Sequence, residues 1–319
     1  MVCSVMFYNL ENLYDTVNDP NTDDDDFTPS GNRRWTQIKY QRKLENLGEV
    51  FQAVSSLPGG FPALVGVSEV ENDSVLDDMV SQKRLSGANY HYVHYDSNDQ
   101  RGVDVALLYR PSRFKLLESQ PLKPILRSGR EYFGRDILVV RGLLDGEMFA
   151  IYVCHFLSRR GGRAASAGFR RAGAETIYYH ALQMRDEYPG IKIIVMGDMN
   201  DTPADFSLSH LLHAVADMED VEQGGFFNPM WTLMEEGQGT SLHNHHWTLF
   251  DNIMVCRQLL ESSGSEGFHI ARFSKWHYAQ IFKRNFMMEH GVPKRSYTGN
   301  HFFSGGYSDH LPVLIRLEK

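Results

Sequence analysis

Residues 191–201 read Ile191-Lys192-Ile193-Ile194-Val195-Met196-Gly197-Asp198-Met199-Asn200-Asp201. An apolar run of strand length passes directly into Gly-Asp-x-Asn, so a strand delivers a carboxylate and an amide, two residues apart, to its own end. Gly permits a tight backbone there. Immediately upstream, residues 169–187 carry a helical apolar period, and Pro189-Gly190 stops that helix before the strand begins. Helix, sharp stop, strand and polar strand end make one α/β unit. Outward from it, strand-like runs fall at 2–8, 63–67, 90–95, 103–109, 137–144, 149–155, 191–196, 247–255 and 312–317. Helical patterns fall at 38–54, 75–85 and 206–215, besides 169–187. Asp145-Gly146, between two apolar runs, predicts a hairpin turn. No Pro-, Ser- or Gly-rich linker divides the chain, which predicts one α/β domain over residues 1–319 with a mixed sheet system.

Composition permits this. The chain has 319 residues, 42% hydrophobic and 23% charged, ordinary values for a globular protein. At this size roughly three quarters of the unfolded surface can be buried, so no covalent staple is needed. A disordered, collagenous or disulfide-scaffold class is excluded, and no apolar run approaches the ~20 residues of a membrane helix. The net charge is -8, but Asp15, Asp19, Asp23, Asp24, Asp25 and Asp26 supply six of those negatives within one short stretch. The nearly neutral remainder does not advertise strong nonspecific nucleic-acid binding, although a local basic patch is compatible with it. Cys3, Cys154 and Cys256 are odd in number, lack CxxC spacing and sit in apolar runs, so they read as small core residues.

Polar residues gather where strands end, the place where an α/β frame carries chemistry. Tyr8-Asn9-Leu10-Glu11-Asn12 follows the first run; alone it reads as a polar strand end. Glu69 directly follows an apolar run, and a carboxylate buried there needs a cation or an ion-pair partner. His155 ends another run, where a hydrogen-bonded structural role is the plain reading. Asp251 lies inside Phe250-Asp251-Asn252-Ile253 and needs a partner for the same reason as Glu69. Asp309-His310 stands at the mouth of the last strand. Carboxylates, amides and two His, with no GxSxG, P-loop, GxGxxG or HExxH, suit Mg²⁺ or Mn²⁺ and hydrolysis of a phosphate ester.

In order and spacing these motifs resemble the endonuclease/exonuclease/phosphatase superfamily, which includes pancreatic deoxyribonuclease, abasic-site endonucleases, inositol polyphosphate 5-phosphatases and bacterial sphingomyelinases. The matching positions run from Asn9 through Glu69, His155, Asp198 with Asn200, and Asp251 to Asp309 with His310. Residues 9–12, 101–108 and 155–162 also resemble the bacterial nuclease-like branch. The resemblance implies a four-layer α/β sandwich: two mixed β-sheets face to face, helices outside, the site at one edge. It implies Glu69 as main ligand of a Mg²⁺ or Mn²⁺ ion, with Asp309, Asn9 and Glu11 nearby, one ion or two. Asp198 would deprotonate the attacking water, Asn200 would hold water or phosphate, His310 oriented by Asp251 would stabilise developing charge, and His155 would contact a phosphate oxygen. Arg101, Ser158, Arg159 and Arg160 would bind substrate.

Two segments are locally basic. Arg33, Arg34, Lys39, Arg42 and Lys43, with Trp35 among them, read as a solvated loop and helix start. Arg159, Arg160, Arg163, Arg170 and Arg171 follow His155 with no acid between 156 and 174, which points to phosphate contact. The expected activity is therefore a metal-dependent phosphodiesterase or nuclease. A phosphomonoesterase or lipid phosphodiesterase is the alternative, with 226–231 as a candidate apolar loop, and an inactive binding module is a third reading. His243–246 (HNHH) reads as an exposed loop, with a second metal site as the lesser reading. The expected partner is a phosphate-ester substrate, nucleic acid among the candidates, with no stable membrane insertion and a monomeric chain. Without a visible signal peptide the chain reads as cytoplasmic, or as exported if an N-terminal segment has been removed.

Overall fold

The computed structural model describes residues 1–129, 132–243, 245–260 and 267–319. Fourteen strands form two seven-stranded sheets. They are β1 (Val2–Leu13), β2 (Leu64–Val70), β3 (His91–His94), β4 (Asp104–Tyr109), β5 (Phe114–Leu122), β6 (Ile137–Leu144), β7 (Glu147–His155), β8 (Lys192–Asp198), β9 (Ala214–Val215), β10 (Phe226–Phe227), β11 (Asp251–Cys256), β12 (His269–Ala271), β13 (Ala279–Ile281) and β14 (Val313–Glu318). The first sheet runs β12-β14-β1-β2-β4-β3, with β13 also on β14; the second runs β5-β6-β7-β8-β11-β10-β9. Both are mixed: β1–β2 and β7–β8 pair parallel, while β1–β14, β2–β4, β6–β7 and β8–β11 pair antiparallel.

Period-two alternation assigns each sheet two buried faces. On β1, Cys3, Val5 and Phe7 pack inward against residues of the second sheet such as Val153, Val195 and Met254. Met6, Tyr8 and Leu10 point the other way, onto Leu44, Leu47 and Phe51 of helix α1 (Gln37–Val54) and Val75 and Met79 of α2 (Asp73–Val80). Helix α3 (Arg163–Glu187) closes the outer face of the second sheet with Ala174, Ile177 and Ala181. The order helix, sheet, sheet, helix is the expected four-layer α/β sandwich. A methyl on Gly66 would stand 2.6 Å from Met196 Sδ, so glycine is what lets the two sheets approach at that point.

The Asp145-Gly146 turn joins β6 to β7 with φ of 45° and 91°, the left-handed pair of a type I′ hairpin. All three cysteines are buried and free. No helix among the described residues is long and apolar enough to cross a membrane. Three differences from expectation stand out. Residues 206–215 form a single π-helical turn, Ser207–Leu211, and then β9, because Phe226 and Phe227 claim Ala214 and Val215 as strand partners. The apolar stretch 226–231 is core, with Phe226, Phe227 and Met230 buried, and offers no exposed apolar loop. Trp35 and Lys43, read as parts of a solvated segment, are both buried.

Candidate active site

Strand register assembles the second sheet's contribution. β7 runs parallel to β8 with His155 opposite Asp198, and β11 runs antiparallel with Asp251 opposite Asp198. A methyl on Gly197 would stand 2.1 Å from the Cys154 carbonyl oxygen, so Gly197 permits the close strand approach just before Asp198. On the first sheet, Asn9 lies opposite Ser68, and beyond that pair both strands become irregular. Glu11, Asn12, Glu69 and Asn200 all take left-handed φ, between 48° and 62°. Four non-glycine residues in a sparsely allowed region mark a place where side chains have been aimed at the expense of backbone strain.

The aimed groups converge on Asp198. Its Oδ2 accepts a hydrogen bond from Asn9 Nδ2 at 3.0 Å and lies 3.7 Å from His155 Nε2 and 3.8 Å from His310 Nε2. Its Oδ1 accepts the Asn200 backbone N–H at 2.9 Å. Asn200 turns its own amide to the Phe156 carbonyl, 2.9 Å away. His155 Nε2 also lies 3.9 Å from Glu69 Oε1, so one imidazole stands between the two carboxylates. His310 Nδ1 donates to Asp251 Oδ2 at 2.7 Å. Asp198, Asp251 and His310 offer ligand atoms within 4.8 Å of one another.

Burial and charge divide the two imidazoles. Burial, helped by the Arg135 charge, holds His155 well below the ordinary histidine value, so it is neutral. Burial would lower His310 too, but Asp251, Asp198 and Asp309 outweigh it and hold the ring protonated. Burial and the neighbouring Asp251 raise the Asp198 carboxyl to about 7. Burial would also raise Glu69, but Arg101 and Arg135 and the Asn12 N–H hold it well below the usual carboxylate range. Glu69 Oε2 accepts that N–H at 2.8 Å, and Arg101 Nη2 approaches it to 3.4 Å.

The remaining predicted residues lie around this centre or apart from it. Arg101 lies against Glu69 and also bonds the Asn12 side chain. Asp309, one third exposed, pairs with Arg295 Nη2 at 2.8 Å. Glu11 spends its oxygens on the Ser296 N–H, on Lys43 Nζ at 3.6 Å and on Arg295 Nε at 3.6 Å. Arg159 does not face an open groove: it bonds Asp201 and Asp205 at 2.7 and 2.6 Å and the Asn200 carbonyl at 2.7 Å. Arg163 bonds Asp205 and Arg170 bonds Asp201. Ser158 is half-buried and its hydroxyl accepts the Arg160 N–H, while Arg160 is exposed. His243, His245 and His246 are exposed around the tip of a hairpin, and Asn244 lies outside the described residues.

Sequence reasoning missed Lys43, Arg135 and Arg295. Arg135, buried beside Asp99, sets the field at His155 and Glu69. An arginine two positions before the apolar run at 137, with Asp136 between, was the available signal. For Arg295 and Lys43 none existed, since their partners lie far along the chain.

Comparison with known proteins places these features in context. Residues 4–319 match the model of the Endonuclease/Exonuclease/phosphatase family. Among solved structures, D. rerio TDP2 complexed with single strand DNA product matches with a TM-score of 0.58 at 14% identity, covering 100% of this chain and 99% of that one. The human Nocturnin catalytic domain with bound sulfate matches with a TM-score of 0.58 at 17% identity, covering 99% and 94%. The Bacteroides thetaiotaomicron mannosyl-6-phosphatase Bt3783 matches with a TM-score of 0.58 at 16% identity, covering 99% and 100%. At these identities the likeness is one of fold. Among proteins with curated functions, none matches the chain by sequence.

Proposed function

This chain belongs to the endonuclease/exonuclease/phosphatase family, and from that premise we propose that it is a divalent-cation-dependent phosphodiesterase, with nucleic acid among its substrates, that cleaves by attack of water on phosphorus. The observation that carries this reading is Asp198 lying 3.7 and 3.8 Å from two imidazoles, of which only His310 has a carboxylate, Asp251, bonded to its other ring nitrogen. Groups whose environments push their protonation apart are the pairing acid–base chemistry requires.

The donor set fits a hard cation. Glu69 is ionised throughout the working range, Asp309 offers a partly exposed carboxylate and Asn9 an amide, so the ligands are oxygens. When bound, the ion supplies Lewis-acid polarisation of a phosphoryl oxygen. The other roles belong to the chain. Asp198, with a pKa near neutrality and orienting bonds from Asn9 and Asn200, accepts the proton of the attacking water. His310 keeps Nδ1–H on Asp251 and turns Nε2–H toward the charge that develops on the phosphoryl group. His155, neutral and at 3.9 and 3.7 Å beyond hydrogen-bond distance of Glu69 and Asp198, contacts a phosphate oxygen of the substrate.

One observation favours a second reading. Arg159, Arg163 and Arg170 are paired with Asp201 and Asp205, which offsets two of their three charges, leaves less free positive charge for a polynucleotide and suits a small phosphate monoester. Of the three solved structures above, one is complexed with single strand DNA product and one is a mannosyl-6-phosphatase, so the likeness of fold does not separate the two readings. The deciding experiment is a parallel assay with Mg²⁺ and Mn²⁺ on plasmid, single-stranded DNA, RNA, a chromogenic diester, a chromogenic monoester and sphingomyelin. Faster turnover of diesters supports the first reading. Turnover of monoesters alone replaces it with the second.

A further inference from the structure

Away from Asp198, a second group of ligating side chains meets at the open edge of the first sheet. His94 ends β3, Asp104 begins β4, and Asp96 lies in the loop between them; their ligand atoms fall within 4.8 Å of one another. The His94 side chain is only 2% exposed. Its Nδ1 bonds Asp73 Oδ1 at 3.1 Å, which assigns the ring proton to Nδ1 and leaves a lone pair on Nε2. That Nε2 is buried and has no hydrogen-bond partner. It faces Asp104 Oδ2 at 3.9 Å, too far for a hydrogen bond from a doubly protonated ring. A lone pair turned toward a carboxylate inside the protein is unfavourable unless a cation lies between them.

We propose that His94, Asp96 and Asp104 form a binding site for a first-row divalent cation, Zn²⁺ in preference to Mg²⁺ or Ca²⁺. One imidazole nitrogen and two carboxylate oxygens suit zinc, whereas magnesium and calcium take oxygen alone. Bonds of about 2.1 Å from one ion reach both His94 Nε2 and Asp104 Oδ2 across the 3.9 Å gap. Asp73 plays the outer carboxylate that fixes the ring of a ligating histidine. The ion would brace a specific loop. Asp104 accepts bonds from Ser97, Ser97 Oγ accepts the Asp99 N–H, and Asp99 accepts the Arg101 N–H, so the chain of bonds ends at the arginine that meets Glu69.

The test uses the full chain, stripped of metal, in equilibrium dialysis against Zn²⁺ with millimolar Mg²⁺ present to occupy the oxygen site. Wild type should retain zinc, and His94→Gln and Asp104→Asn should each weaken its Kd at least tenfold, while Glu69→Gln keeps it. Zinc should raise the Tm of wild type and not of His94→Gln. Because Asp104 is buried and its variant can lose stability, Asp96→Asn, at an exposed position, is the second probe and should also weaken zinc at least tenfold. Unchanged zinc affinity in Asp96→Asn and His94→Gln, or loss of the retained zinc in Glu69→Gln alone, would overturn the proposal.

Discussion

His310 Nδ1 lies 2.7 Å from Asp251 Oδ2, although 59 positions separate the two residues. Two independent constraints make the contact. β11 fixes Asp251 opposite Asp198 by register. Ser308 donates its hydroxyl to the Asn9 carbonyl and accepts the His310 N–H, which ties the imidazole to the end of β1. The last loop therefore joins the ends of both sheets, and its geometry depends on both.

A pair arranged in this way should act as a unit. Asp251→Asn removes the charge that holds His310 protonated, and His310→Ala removes the ring. Each should lower kcat about a hundredfold or more on one diester, with little change in KM. The double variant should be hardly worse than His310→Ala alone, since groups that work as one are not additive. Multiplying losses in kcat would mean the two act separately.

Glu69→Gln keeps the shape of the side chain and removes its charge. Manganese affinity, read by electron paramagnetic resonance of free Mn²⁺, should fall at least tenfold, and turnover should fall with it. Wild-type manganese binding in this variant would exclude Glu69 as a main ligand.

The basic segment after His155 separates into two kinds of arginine. Arg159 holds Asp201, Asp205 and the Asn200 carbonyl, so Arg159→Ala removes one of two arginines from each of two largely buried carboxylates, which keep Arg170 and Arg163. It should cost about 1–2 kcal/mol of stability, the loss of charge-assisted hydrogen bonds to carboxylates that remain paired. Arg160 is exposed. Arg160→Ala should leave the melting curve unchanged and raise KM for a polynucleotide more than for a small diester. A higher KM on both substrates alike would argue against a polynucleotide path over Arg160.

What was legible in the sequence follows from range. The strands bearing Asn9, Glu69, His155, Asp198 and Asp251 are apolar runs whose polar ends are local signals. β5 was not legible: Lys115, Glu118 and Leu117 face solvent, and Pro121 interrupts it, which an edge strand tolerates. The run at 247–255 is divided between two partners, His246–Thr248 pairing with Ser241–His243 and Asp251–Cys256 with β8. Which arginine meets which carboxylate is set by packing between distant segments. For that reason the Arg159–Asp205 and Lys43–Glu11 pairings left no mark in the local pattern.

Glu147 supplies a stability test away from the site. Burial alone would raise its carboxyl, but bonds from Lys192, from Lys319 at 2.8 Å and from the Phe268 N–H hold it below the ordinary value. A depressed folded pKa contributes stability that is present above the unfolded value of about 4.3 and is lost as pH falls through the folded pKa. Glu147→Gln should therefore lower Tm by roughly 1–3 °C at pH 7, as expected for a half-exposed cluster worth about 1 kcal/mol or less. The difference from wild type should shrink as pH falls below about 4.3 and be lost once the folded carboxyl is protonated. A difference that persists then would assign the effect to packing.

The Lys43 ammonium is the furthest-reaching of the groups that the sequence left unmarked. It rises from α1 into the interior, 1% exposed, and donates to Ser296 Oγ at 2.6 Å and the Tyr307 carbonyl at 2.7 Å. It also stands 3.6 Å from Glu11 Oε2. Ser296 and Tyr307 bracket the segment that carries Arg295 at one end and Asp309 at the other, so α1 anchors the loop that offers Asp309. Burial and the nearby Asp309 already raise Glu11 to about 7, which shows how much its ionised form relies on this cation. Lys43→Met should leave Glu11 without one of its two nearby positive charges, and that the buried one, and two acceptors without a donor. The expected loss is about 3–5 kcal/mol, the cost of breaking a buried pair by removing one partner. Adding Glu11→Gln should return part of that loss, because an amide oxygen still accepts the Ser296 N–H and no longer carries a buried charge. Denaturant melts of the two single variants and the double variant measure the coupling. If the double variant loses the sum of the two single losses, Lys43 serves the loop through Ser296 and Tyr307 alone, and its electrostatic hold on Glu11 contributes nothing.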